Sequence, residues 1–142
     1  MSSPESAAPT APTADPAPAA KMVTLEVGGS KKRCKPTRIP GALVVRCTDL
    51  PNPHQAIGNG RLQPRFRPLL KWMQKATPES AMKMQLRATH VANKLIAGND
   101  VRVQCLGGRH RSQVIARLAL GLLSEEDRRR VNVEYLDAAP LE

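Results

Sequence analysis

The sequence predicts a small α/β domain, a mostly parallel sheet of about four strands with helices packed on it. Two observations lead to this fold class. Short apolar runs rich in β-forming residues alternate with segments whose apolar residues recur at helical spacing. Clusters of Gly, Pro and Asn separate these segments. Such alternation is typical of parallel sheets, because parallel neighbours need long connections that helices usually provide.

The chain of 142 residues divides into a tail and a single domain. Residues 1–20 are almost wholly Ala, Pro, Ser and Thr, which bury too little apolar area to offset the entropy lost on ordering. We therefore expect a disordered tail over residues 1–20 and one folded domain over residues 21–142.

Two strands are predicted in the first half of the domain. Residues 22–27 alternate in polarity and predict a first strand that stops at Gly28-Gly29, with an edge position expected. Residues 30–40 are basic and contain two prolines, which indicates an exposed loop. Residues 42–47 form an apolar run that predicts a buried strand, and its end feeds a loop that continues to Gly60.

Two helices follow this loop. Pro64 is expected to begin a helix that reaches residue 76, with Phe66 and Met73 on its apolar side. Thr77 is the predicted N-cap of a longer helix, whose apolar face includes Met84, Ala88 and Val91 and which Gly98 ends.

The last part of the chain repeats the strand and helix pattern. Residues 100–105 predict a third strand, and residues 110–123 predict a helix with apolar periodicity. Ser124 is the expected N-cap of a short helix that ends in three arginines, and residues 131–136 predict the last strand.

The charge of the chain points to anionic partners. Its formal net charge is +10, and residues 21–142 carry +12, because the tail holds Glu5 and Asp15 but no Lys or Arg. Such an excess favours RNA, DNA or phosphorylated small molecules, and a general role in solubility is the alternative. No signal sequence or membrane span is evident. We expect a cytoplasmic protein.

The cysteines and histidines predict neither disulfides nor a metal site. Cys34, Cys47 and Cys105 form no C-x-x-C pair, and their number is odd. The three histidines are not spaced from these cysteines as zinc ligands are. Reduced thiols fit the cytoplasm, and no cofactor is expected.

The segment Cys105–Ser112, with sequence CLGGRHRS, is the candidate site. It joins a predicted strand to a predicted helix, and parallel sheets bind ligands at the carboxyl ends of their strands. A Gly-Gly turn lets backbone N–H groups curl toward one point, where the helix dipole adds positive charge. We expect a phosphate there. The predicted phosphate-binding residues are Gly107, Gly108, Arg109, His110, Arg111 and Ser112, with Arg111 offering a bidentate fork.

The same segment offers a catalytic alternative. Cys105 and Arg111 form a C-x5-R-S pattern that resembles the signature loop of the cysteine-dependent phosphatases. The resemblance implies Cys105 as nucleophile and Arg111 as phosphate ligand, although Gln104 stands where that family has a histidine. Asp49 and Asp137 are the plausible proton donors.

A second resemblance covers roughly residues 40–137. Near its end, the C-terminal domain of the RapZ family of RNase adaptors carries the pattern C-T-G-G-x-H-R-S, which residues 105–112 match in six positions. Residues 50–54 read LPNPH and residues 66–69 read FRPL, as in two further motifs of that family, in the same order. The chain thus resembles that domain as a stand-alone module.

The resemblance implies a regulatory binding module rather than an enzyme. Its ligand would be an amino-sugar phosphate such as glucosamine 6-phosphate, or a nucleotide, and oligomers are a property of the family. Asn52 and His54 are the residues expected to reach the rest of the ligand. The alternative is that both residues only brace the Pro-rich loop.

The resemblance further implies structured RNA as a partner, and a protein partner is a competing reading. Two basic segments would contact the phosphates of the RNA. Such contacts position the RNA without recognising its base sequence. With one Phe, one Trp and one Tyr in the chain, stacking platforms for single strands are not expected. The candidate RNA-binding residues are Lys31, Lys32, Arg33, Lys35, Arg38, Arg65, Arg67, Lys71 and Lys75.

Overall fold

The computed structural model describes residues 21–142, so the predicted tail at residues 1–20 lies outside the described residues. Strands and helices alternate through this range as the sequence predicts. The elements are β1 (Val23–Gly29), β2 (Leu43–Arg46), α1 (His54–Gly58), α2 (Phe66–Lys75), α3 (Ser80–Ile96), β3 (Val101–Cys105), α4 (Arg111–Gly121), α5 (Glu125–Arg129) and β4 (Val131–Tyr135).

The four strands form one sheet in the order β2-β3-β1-β4, and every neighbouring pair is parallel. The predicted α/β fold class is therefore confirmed. The expected edge position of β1 is wrong, because β1 pairs with β3 on one side and β4 on the other. Its apolar residues are buried in the centre of the sheet, so alternation alone did not reveal its place. The prediction that β2 is buried is also wrong, because β2 lies at an edge of the sheet and three of its four residues are exposed.

Strand β1 also continues through Gly28 and Gly29, where the sequence predicted its end. These glycines pair with Gln104 and Cys105 at the end of β3. A Cβ on Gly29 would lie 2.6 Å from the carbonyl oxygen of Leu106, closer than atoms can approach. The Gly-Gly pair is thus not a strand terminator, and it lets the chain after β3 pass directly over β1.

Helices cover one face of the sheet. Helices α2, α3 and α4 contact one another, and α3 and α4 pack on β1 and β3. The strand residues that face them alternate along each strand and are buried. These residues are Val23, Leu25, Val27, Val45, Val101, Val103, Cys105 and Val131.

The other face is covered by a loop. The connection from β1 to β2 crosses the sheet in the direction opposite to the β2–β3 and β3–β4 connections. Because crossovers between parallel strands are right-handed, it passes over the face that the helices do not cover. Residues 30–42 of this connection contain no helix. We name residues 30–38 the basic segment. Its backbone reaches this face, where Arg38 N donates to Oε2 of buried Glu26 over 2.9 Å.

Several helix boundaries differ from the predictions. His54–Gly58 form α1, where a loop was expected, and α2 begins at Phe66 rather than at Pro64. Helix α3 begins at Ser80, because Thr77 and Ser80 close a turn through their hydroxyls, 2.6 Å apart, instead of capping the helix. The predicted cap of α5 is confirmed, since Ser124 Oγ accepts from Asp127 N over 3.0 Å.

None of the helices within residues 21–142 is long and apolar enough to cross a membrane.

Candidate functional site

A cleft of about 820 Å³ opens at the carboxyl ends of the strands. The connections that follow β1, β2 and β3 all contribute to it, as parallel topology requires. We call Cys105–Ser112 the GG loop, and it forms the centre of the cleft. The lining residues are Lys31, Arg33, Cys34, Asn52, His54, Ile57, Gly58, Pro64, Cys105, Leu106, Gly107, Arg109, His110, Arg111 and Asp137.

The two glycines of the GG loop have different roles. Gly108 has a φ of +71°, and a Cβ there would lie 2.7 Å from the backbone carbon of Gly28. Gly107 has open space around the same position. Only the second glycine is therefore required by left-handed backbone and close packing. It seats the loop on the glycine pair that ends β1.

Polar hydrogens of the GG loop converge on the sulfur of Cys105. Gly108 N donates to Cys105 Sγ over 3.3 Å, and Ser112 Oγ lies 3.3 Å from the same sulfur. The Gly108 amide, which the sequence predicted to face a phosphate, is thus directed at the thiol. Cys105 itself is buried and lines the cleft.

These contacts favour the thiolate of Cys105. Burial alone raises its pKa, but hydrogen bonds from the Ser112 side chain and from the amides of Ser112, Gly108 and His110 outweigh burial and leave the pKa below its ordinary value. Cys47, by contrast, is buried on β2's carboxyl side, and burial raises its pKa to about 12 despite the nearby Arg87. The two thiols therefore differ sharply in acidity.

Arg111 is buried at the start of α4 with only 5% of its surface exposed. Its Nη1 donates to the carbonyl oxygens of Thr48 and Leu50, over 2.8 and 3.2 Å. The predicted bidentate fork is thus half committed to the loop after β2. Nε and Nη2 have no hydrogen-bond partner within residues 21–142, and neither atom is fully buried.

A second buried arginine provides an internal comparison. Arg102 Nη1 lies 3.4 Å from Oε1 of the buried Glu26, and its other nitrogens donate to Gln104, Gly29 and Lys35. Arg111 has no carboxylate within salt-bridge distance in the described part of the chain. One buried cation is thus neutralised internally, and the other faces the cleft.

The remaining predicted residues of the GG loop also surround the cleft. Arg109 is exposed at its rim, and His110 is half-buried just before α4. Burial lowers the pKa of His110, and the neighbouring His54, Arg109 and Arg111 lower it further. His110 is therefore neutral at pH 7, where it offers one N–H donor rather than a charge.

Asn52 and His54 enter the cleft from the loop after β2, as expected for the ligand-binding pair. Asn52 Oδ1 accepts from His54 N over 3.1 Å, an Asx turn that begins α1. The bracing role is therefore present for Asn52, whose amide nitrogen stays available. His54 is exposed at the cleft.

The two candidate proton donors are both engaged elsewhere. Asp49 lies outside the cleft lining, and its hydrogen bonds with Arg87 hold its pKa far below the usual range. Asp137 lines the cleft, but its oxygens accept from Gly29 N and Lys35 N, each over 2.8 Å. Gln104 stands where the phosphatases have a histidine, and its side chain accepts from Arg102 Nε.

The structure does not bring the two candidate RNA-binding groups together. The basic segment covers one face of the sheet, and α2 belongs to the helix layer on the other. Lys31 and Arg33 line the cleft, whereas Arg65 and Arg67 line a separate groove with Phe66 and Arg117. The candidate residues on both segments are exposed, so they remain available to a large anion.

Sequence reasoning missed Gly28, Gly29 and Cys34 as parts of the site. Cys34 Sγ contacts the carbonyl oxygens of Leu106 and Gly107, at 3.7 and 3.9 Å. A strand register would have been needed to find these residues, because the contacts join positions more than seventy residues apart. Within residues 21–142 no group of three or more His, Cys, Asp or Glu is placed to hold a metal ion.

Comparison with protein-family models found no match to the chain, and comparison with curated proteins found none either.

Proposed function

We propose that this protein binds a phosphorylated small molecule in the cleft, with a phosphate group on the GG loop and Arg111. One observation carries the proposal. Arg111 lines the cleft as a buried cation without a carboxylate partner in the described residues, and its Nε and Nη2 form no hydrogen bond with these residues. Burying an unpaired charge is costly, so a site of this kind is suited to an anion supplied from outside.

The surroundings of Arg111 support a phosphate over a carboxylate. Helix α4 begins at the cleft with the positive end of its dipole, and Arg109 adds a further positive charge. Among the described residues of the lining Asp137 is the one acid, and backbone amides donate to its oxygens. An anion with a charge of two gains more from this field than a monovalent one.

The resemblance to the RapZ C-terminal domain narrows the proposal to a regulatory module that senses an amino-sugar phosphate or a nucleotide. Two of the three motifs that carry the resemblance, residues 50–54 and 105–112, contribute lining residues to the cleft, whereas residues 66–69 begin α2 and contribute to the separate groove. Glucosamine 6-phosphate is the first ligand to test. The exposed basic residues support a second role in binding structured RNA.

Isothermal titration with glucosamine 6-phosphate and inorganic phosphate tests the ligand site. Arg109→Gln should weaken both ligands about tenfold, because a charge-assisted hydrogen bond contributes about 1.5–3 kcal/mol. Arg129→Gln is the matched control, since it removes the same charge from an exposed position on α5 outside the cleft. Equal effects of the two substitutions would show that only net charge matters and would reject the site.

Cys105 supports a second candidate function, that of a cysteine-dependent phosphatase. Its thiolate is favoured by the GG loop, and Arg111 lies six residues on, at the start of α4. In this reaction the sulfur would attack phosphorus as the P–O bond to the leaving group breaks. Water would then cleave the phosphocysteine. Among the lining residues within 21–142 no carboxyl group is free to protonate the leaving group.

Turnover of p-nitrophenyl phosphate tests this candidate, because its leaving group departs without a proton donor. Hydrolysis that is lost in Cys105→Ser and retained in Cys47→Ser would establish the enzyme. Absence of turnover in the wild-type protein, with phosphate binding intact, would reject it and leave the binding function standing.

A further inference from the structure

The cleft has a second basic wall that the GG loop does not provide. Lys31 and Arg33, from the basic segment after β1, line the cleft together with Arg109 and Arg111. Both side chains are exposed, and neither forms an ion pair within residues 21–142. Their charges are therefore not neutralised by carboxylates of the described residues.

This wall is fixed to the GG loop by its backbone. The amides of Ser30 and Lys31 both donate to the carbonyl oxygen of Leu106, each over 3.0 Å. The thiol of Cys34 contacts the same oxygen from the side. Lys31 and the GG loop thus share one anchoring atom, so the distance between the two basic groups is set by the fold.

Buried Arg102 and half-buried Asp137 hold the rest of the segment. Arg102 Nη2 donates to the carbonyl oxygens of Gly29 and Lys35, over 2.9 and 2.7 Å. Asp137 accepts from the amides of the same two residues. Both ends of the turn from Gly29 to Lys35 are therefore clamped, and its cations are presented to the cleft by an ordered backbone rather than by a free loop.

The cleft is also much larger than one phosphate needs. Its volume of about 820 Å³ falls in the range of sites for ligands with several functional groups. The apolar residues Ile57 and Pro64 lie on the α1 side of the cleft, and the second basic wall belongs to the connection after β1. A ligand that occupies the GG loop would thus have a cationic surface on one flank and a mixed surface on the other.

We propose that Lys31 and Arg33 form a second phosphate subsite, and that the ligand class of this cleft is a small molecule with two phosphate groups. This inference rests on the proposed function, because the first phosphate occupies the GG loop and Arg111. The second phosphate would accept from Lys31 Nζ and from the Arg33 guanidinium, which suits planar recognition of phosphate oxygens. Sugar bisphosphates and nucleoside diphosphates belong to this class.

The test compares matched ligand pairs by isothermal titration at constant ionic strength. Fructose 6-phosphate is compared with fructose 1,6-bisphosphate, and AMP with ADP. In the wild-type protein at least one doubly phosphorylated ligand should bind about tenfold more tightly than its partner, the effect of one charge-assisted contact. The double variant Lys31→Gln/Arg33→Gln should abolish this advantage and leave monophosphate affinity within about threefold.

The control is Lys75→Gln/Arg129→Gln, which removes the same residue types and the same charge from exposed positions outside the cleft. It should preserve the advantage. If monophosphates bind but neither doubly phosphorylated ligand binds more tightly, or if the advantage survives in Lys31→Gln/Arg33→Gln, the second subsite is wrong and the proposed function stands. If none of the four ligands binds, the second subsite is wrong, and if glucosamine 6-phosphate and inorganic phosphate also fail to bind, the proposed function fails with it.

Discussion

Arg111 and Arg102 begin from the same chemistry and end in different surroundings. Each guanidinium is buried and each donates to backbone carbonyls. Glu26 neutralises Arg102, and the part of the chain that the structure describes offers Arg111 no such partner. Sequence alone ranked Arg111 as a phosphate ligand and passed over Arg102, because a buried strand arginine has no local signature. The comparison of these two arginines shows that residue type alone does not indicate a ligand site. Burial of a charge without a carboxylate partner does.

Gly108 and Gly107 should respond differently to alanine. Gly108→Ala forces a side chain into left-handed backbone and against Gly28, so we expect a loss of at least about 1–2 kcal/mol in the free energy of unfolding. Gly107→Ala meets open space and should change it by less than about 1 kcal/mol.

Denaturant unfolding of both variants measures this difference, and heteronuclear NMR reports whether the GG loop has moved. Equal stability of the two variants would contradict the close packing of the GG loop on the end of β1.

The pH dependence of anion binding should depend on His110. Its pKa is lowered by burial and by His54, Arg109 and Arg111, so the ring is neutral at pH 7 and gains a proton only in acid. Sulfate keeps two charges over this range, and a bound dianion favours the protonated ring. Sulfate should therefore bind more tightly as the pH falls from about 7 to 5.

Titration at several pH values in the wild-type protein and in His110→Gln tests this expectation. The increase in affinity on acidification should be largely absent from the variant. The same strengthening in both proteins would assign the effect to another group.

At the scale of elements, local sequence patterns predicted what local forces determine. The apolar spacing of α3 and α4 and the cap of α5 are properties of neighbouring residues, and these elements appear where expected. The place of β1 and its continuation through Gly28 and Gly29 depend on pairing with β3, some seventy-six residues away. Such contacts leave no local periodicity, and β1 was therefore placed wrongly.

The connection between β1 and β2 depends on a polar clamp. Glu26→Gln would leave Arg102 buried without its counter-charge, and we expect a cost of about 3 kcal/mol in the free energy of unfolding. The amide of Arg38, which donates to Glu26, should also lose protection from hydrogen exchange.

Glu125→Gln is the matched control, because its pairing with Arg129 is exposed and worth at most about 0.5 kcal/mol. If Glu26→Gln and Glu125→Gln lower the free energy of unfolding by the same amount, the basic segment is not held by the buried ion pair.

At the scale of the whole molecule, the positive charge is distributed over two faces. The basic segment and α2 lie on opposite sides of the sheet, so one short duplex cannot contact all the candidate residues at once. RNA binding through phosphate contacts should weaken steeply as salt is added. The logarithm of the binding constant should fall against the logarithm of the salt concentration with a slope of about −0.7 to −0.9 for each phosphate contacted.

Salt titration with a structured RNA hairpin tests this role. Lys32→Gln/Arg38→Gln, on the basic segment, should reduce the salt slope by about one to two contacts if that face binds RNA. Lys71→Gln/Lys75→Gln reports on the α2 face in the same way. No binding of the hairpin even at low ionic strength would reject the RNA role altogether.

The centre of the candidate site was predicted more completely than its periphery. Residues 105–112 contain the sequence signals of a strand end, a glycine turn and a helix start within eight positions, and the cleft contains that loop. Cys34, Asp137 and the clamp by Arg102 come from distant parts of the chain, and only the folded sheet unites them. The commitment of one Arg111 nitrogen to Thr48 and Leu50 was likewise invisible in the sequence.

Amide NMR spectra recorded during titration with glucosamine 6-phosphate, with inorganic phosphate for comparison, test the central claim most directly. We expect both ligands to shift the amides of Gly107–Ser112, and the sugar phosphate to shift Asn52 and His54 as well. Arg109→Gln should weaken both responses, and Arg129→Gln should not. If neither ligand moves the amides of the GG loop at millimolar concentration, the loop is a tight turn between β3 and α4, and the cleft is not a phosphate site.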